Sequence, residues 1–94
     1  MTAHIERHES TQRQTHVHAG PVEIALHEHH GKWTATLLRV STCTVLATVD
    51  GETEAHALHV AIRTLRTLRD ALDTALAELT DHDEIDALMR RSVL

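Results

Sequence analysis

The chain has no phenylalanine and no tyrosine, and Trp33 is its one aromatic residue. A sheet that stacks nucleobases on aromatic side chains is therefore excluded. Cys43 is the only cysteine, so neither an intrachain disulfide nor a cysteine-based metal cluster can form. No apolar run approaches the ~20 residues needed to span a bilayer, and the first residues carry no signal-like apolar core. A cytoplasmic location is expected, or a place inside a virion for a phage-derived chain. Only three glycines and one proline are present, and Gly20-Pro21, Gly31 and Gly51 all fall where turns are due. No glycine-rich phosphate loop exists.

What is present is aliphatic and polar. Hydrophobic residues make up 41% of the 94, enough for one small globular domain built from Leu, Val, Ile and Ala. So modest a core suggests that a partner chain completes it. The formal net charge of −5 opposes non-specific adhesion to nucleic acid or anionic lipid. Ten histidines outnumber that deficit, so full protonation would reverse its sign. One lysine against eight arginines, with abundant Ala, Thr, Leu and His, is the composition of a GC-rich genome, such as an actinobacterium or its phage.

Residues 1–15 are polar without a sustained period and are expected to form an N-terminal arm, with 16–94 a single α+β domain. Val22, Ile24 and Leu26 alternate with Glu23, Ala25 and His27, the period of a half-buried strand. A two-residue turn at His30-Gly31 sets His29 against Lys32, Glu28 against Trp33, Leu26 against Ala35, Ile24 against Leu37 and Val22 against Arg39. A slip of one residue would destroy the apolar match. A loop at Ser41-Thr42-Cys43 places Leu37 opposite Ala47 and Ala35 opposite Val49. The sequence thus predicts a three-stranded antiparallel β-meander packed on one long amphipathic helix, followed by a short C-terminal helix.

Thr53 is the expected N-cap of the long helix, with Glu52 and Glu54 at the positive end of its dipole. Leu58, Ile62, Leu65, Leu72, Leu76 and Leu79 recur at spacings of four and three, with Arg69 where another apolar residue is due. Residues 54–80 as helix run roughly 40 Å, against about 27 Å for an eight-residue strand. The sheet cannot cover the whole stripe. Leu68, Leu72, Leu76 and Leu79, with Ile85, Leu88 and Met89 of the second helix, are therefore the candidate interaction residues. The expected occupant is a protein partner, with a homodimer or larger assembly the favoured form.

Other chemistries compete. His16 and His18, and His27 and His29, have the spacing of neighbours on one strand face and are the candidate metal ligands, yet no His-Glu-x-x-His or cysteine pair completes a site. Surface histidine is the plainer reading, and no cofactor is expected. Cys43 falls in the loop expected between the second and third strands, without a nucleophile motif, so an enzyme is not expected. Arg63, Arg66, Arg69, Arg90 and Arg91 are candidate nucleic-acid contacts, although Asp70, Asp73 and Glu78 lie among them and intrahelical ion pairs explain them more simply.

The run Asp50-Gly51-Glu52-Thr53-Glu54-Ala55-His56-Ala57-Leu58 is similar to the sheet-to-helix corner of HicB-type antitoxins, and double-stranded-RNA-binding domains share the element order. The resemblance covers about a third of the chain. It implies a nucleic-acid-associated regulator as the alternative to an assembly subunit. The basic helix start of the RNA-binding family is replaced here by Glu54.

Overall fold

The computed structural model describes residues 3–9 and 13–92, with the side chains of all of these but His8, Glu9 and Ser92. The chain is α+β. Its strands are β1 (His4–Glu9), β2 (Arg13–Ala19), β3 (Val22–His29), β4 (Lys32–Arg39) and β5 (Thr44–Gly51), followed by helices α1 (Glu54–Thr80) and α2 (Asp83–Ser92). The strands form one antiparallel meander in the order β1-β2-β3-β4-β5.

Five strands replace the three expected. Most of the supposed polar arm is β1 and the start of β2, with Ile5 opposite Val17, Glu6 opposite His16 and Arg7 opposite Thr15. Ile5 is the single apolar residue of β1, so no alternation marks the strand. Its pairing draws on backbone hydrogen bonds to β2, which any sequence without proline can make. In the rest of the expected arm, Ala3 is exposed ahead of β1, and residues 1, 2 and 10–12 lie outside the described residues.

The central hairpin has the register expected, from His29 against Lys32 to Val22 against Arg39. Its turn places His30 at φ 50° and Gly31 at φ 78°, the left-handed pair of a type I′ turn. Between β2 and β3, Gly20 at φ 59° precedes Pro21 and joins Ala19 to Val22. Between β4 and β5, Leu37 faces Ala47 and Ala35 faces Val49 as expected, but a bulge beside Leu37 and Leu38 shifts the pairing so that Leu38 meets Val45. Val40 leaves the ladder there and donates its N–H to the Pro21 carbonyl at 3.0 Å.

The chain divides into two compact units, Met1–Thr64 and Leu65–Leu94. In the first, one sheet face carries the core: Val17, Ile24, Leu26, Trp33, Ala35 and Leu37 are buried with Ala57 and Ala61 of α1. Alanine at these helix positions allows close approach, and Gly51 completes it. A Cβ on Gly51 would lie 2.6 Å from the Ala57 Cα. Thr53 is the N-cap, accepting from the His56 N–H at 3.1 Å. His56 in turn accepts from the Glu52 N–H through Nδ1 at 3.1 Å, so two backbone donors at the helix start are satisfied.

One buried polar residue lies on the helix-covered face. Thr15 donates from Oγ1 to Glu54 Oε2 at 2.6 Å, and Arg7 Nη2 donates to Glu54 Oε1 at 3.2 Å. The first turn of α1 is thereby tied to β1 and β2. The Thr15 hydrogen bond, with Arg7 assisting against partial burial, holds the Glu54 carboxyl below the ordinary carboxylate value.

Candidate functional site

The second unit, Leu65–Leu94, holds all seven candidate interaction residues. Every residue from Arg69 through Glu84 is exposed. Leu72, Leu76 and Leu79 retain 67%, 60% and 49% of their accessible surface, and Leu88 and Met89 each retain 61%. Leu68 and Ile85 are half-buried. α1 ends at Thr80, whose hydroxyl donates back to the Leu76 and Ala77 carbonyls, and α2 begins at Asp83 with acidic residues in its first turn and Arg90 and Arg91 in its last. Both ends of α2 thus suit its dipole. A shallow depression on α2 is lined by Glu84, Ile85, Ala87, Leu88 and Arg91.

On this stretch the seam is amphipathic in a specific way. Leu65, Leu72, Leu76 and Leu79 share one side of α1 with Arg69 among them, and Leu68 and Ala75 flank that side on one edge. Arg66 and Asp73 flank the other edge.

The arginines considered for nucleic acid are all exposed. Arg69 donates through Nε and Nη2 to Oδ1 of its neighbour Asp70, at 3.4 and 3.3 Å. So exposed an ion pair contributes little to stability, but it fixes a carboxylate beside the seam arginine.

The candidate metal ligands fall on the sheet face opposite the helix. Strand alternation puts His16, His18, His27 and His29 there together with His4, Glu6 and Glu23. His16 Nδ1 lies 2.8 Å from Glu23 Oε1, and His18 Nε2 lies 3.8 Å from both Glu23 Oε1 and Glu6 Oε2. His4 Nε2 is 3.3 Å from Glu6 Oε1, and the His18 ring lies between those of His4 and His16, with centroids at 5.8 and 6.4 Å. His29 is separate, its ring edge-on to that of His30 at 4.1 Å. Among the described residues, no group of three or more His, Cys, Asp or Glu is disposed to hold a metal ion. The imidazoles of His4, His16 and His18 are aligned by the pleat and paired with carboxylates rather than converging on a point.

Cys43 is exposed in the β4–β5 loop at φ 52°. Glu28 is half-buried near the rim of the core, with Arg13 at 3.8 Å. Two clusters have no counterpart in the sequence reading: Arg7–Thr15–Glu54, and His4 with Glu6 against His18. Both depend on β1, which lacks the alternation that reveals a strand. No helix among the described residues is long and apolar enough to cross a membrane. In comparisons with known proteins, the chain matches no family model, no curated protein and no solved structure.

Proposed function

We propose that this protein is a non-enzymatic interaction or assembly subunit, which uses the sheet as a scaffold and the Leu65–Ser92 region to hold a protein partner. One observation carries the reading: Leu72, Leu76 and Leu79 line one side of a regular helix and remain at least half exposed or nearly so. Burying a leucine is worth about 1.5–3 kcal/mol relative to exposure. Three on one side of one helix form a surface whose cover comes from outside the described chain.

The test is a paired measurement on the Leu72→Ser/Leu76→Ser variant. The substitutions lie on exposed positions of the second unit, so the buried core of the first should keep its melting transition. Affinity purification from the native host, with mass spectrometry and nucleic-acid staining, is then compared for the two forms. The reading expects a stoichiometric protein companion, a second copy included, that is lost in the variant. Recovery of nucleic acid with both forms would replace it by the regulator reading. An unchanged mass and an unchanged companion set in the variant would remove its basis.

A further inference from the structure

We propose that the Leu65–Thr80 stretch of α1 pairs antiparallel with the same stretch of a second copy, about a two-fold axis between Asp70 and Ala71, with Arg66 facing the partner's Asp73. The inference rests on the interaction-subunit reading and names its partner and geometry.

The argument is one of charge and register. When two helices pair through a seam spaced three and four, seam residues meet in layers and the residues flanking the seam meet each other. Parallel pairing about a two-fold sets each residue near its own copy, which would press two Arg69 guanidinium groups together inside an apolar seam. Antiparallel pairing separates them. With the axis between Asp70 and Ala71, Leu65 meets the partner's Leu76 and Arg69 meets the partner's Leu72, and symmetry repeats both layers. Leu68 and the partner's Ala75 close one flank with small and apolar groups. Arg66 and the partner's Asp73 meet on the other flank, twice over.

The neighbouring registers fail on the same residues. Sliding the partner by one heptad in one direction sets Asp73 against the partner's Asp73; sliding it the other way sets Arg66 against the partner's Arg66. Of these three alignments, only the central one pairs opposite charges. Arg69 is also provided for: its own Asp70 lies at 3.3 Å, and the partner's Asp73 follows the leucine it packs on. A two-fold contact of this kind uses one patch on both chains, as most homodimers do.

The experiment uses two charge reversals of the full chain, Arg66→Asp and Asp73→Arg. Each alone sets like charges across the seam, twice, so each variant should dimerise roughly tenfold or more weakly than wild type by light scattering across a dilution series. Mixed in equal amounts, the two variants restore opposite charges at both contacts, and the mixture should recover the wild-type dimer mass. Both substitutions are at exposed helix positions, and an unchanged far-ultraviolet spectrum confirms that the fold is retained.

Three results would overturn the proposal: a wild-type chain that stays monomeric at roughly 0.1 mM, single variants that dimerise as wild type does, or a mixture no tighter than its components. The first of these leaves the interaction-subunit reading standing, because the host copurification with Leu72→Ser/Leu76→Ser tests that reading without assuming a second copy.

Discussion

Thr15 and Glu54 are 39 residues apart in the chain and 2.6 Å apart in space, hydroxyl to carboxylate. The contact gives a buried hydroxyl its acceptor and fixes the first turn of α1 on β2. Because the Glu54 carboxyl is held below its ordinary value of 4.5, the unfolded chain binds more protons than the folded one as pH drops. The stability this contributes is present above about pH 4.5 and is lost as pH falls through the lowered folded value. Glu54→Gln should lower stability near pH 7 by about 1 kcal/mol and flatten the acid limb of a melting-temperature profile. A variant that keeps the wild-type acid limb would show that this carboxylate is not responsible for it.

Gly51→Ala should be more damaging than any glycine-to-alanine change in a turn tip. The added Cβ meets the backbone nitrogen and Cα of Ala57, which cannot rotate aside. A loss of about 1–3 kcal/mol is expected from overpacking, read as a lower urea midpoint with an unchanged slope.

The two faces of β3 should respond unequally. Ile24 is buried in the core, so Ile24→Asp places an unpaired carboxylate there and should unfold the first unit. Glu23→Lys removes the acceptor 2.8 Å from His16 and puts an ammonium beside His16 and His18. It should cost about 1 kcal/mol. Chemical denaturation of each variant separates the two effects, and an Ile24→Asp protein as stable as wild type would reverse the face assignment.

Zinc added to metal-free protein should bind weakly and without a sharp stoichiometric endpoint. The histidines on the open face follow the strand pleat, and His4, His16 and His18 face carboxylates instead of converging. Replacing His27 and His29 together should leave the isotherm nearly unchanged. Saturation at one equivalent, with a rise in melting temperature, would establish a site that this geometry does not provide.

Where apolar residues alternate, the sequence was sufficient. The β3–β4 register follows from matching Ile24 with Leu37 and Leu26 with Ala35 across the two-residue turn, because a slip of one residue would put leucine and isoleucine in water. The ends of α1 were legible from Thr53 and from the acidic residues that would enter the seam after Thr80. β1 was not legible, since a strand with one apolar side chain is held by main-chain bonds that leave no trace in composition. The bulge near Leu37 was hidden for a related reason: the pairing on its turn-distal side already satisfies the hydrophobic match. The Thr15–Glu54 contact required knowing that β2 lies beneath the helix start. Leucine spacing identified the candidate surface itself, while its exposure is a property of the folded chain.

Each strand of the meander pairs with its neighbour in the chain, and two of the links are turns of two residues. Nearly all of the sheet can therefore form through short loop closures, which places the domain among the faster-folding β-containing topologies. The contacts of Glu54 with Thr15 and Arg7 span far longer loops, 39 and 47 residues. The Arg7–Thr15–Glu54 contacts of the helix start can close only once β1 and β2 have joined the sheet. Substitutions at Thr15 should accordingly accelerate unfolding while leaving the rate of folding almost untouched.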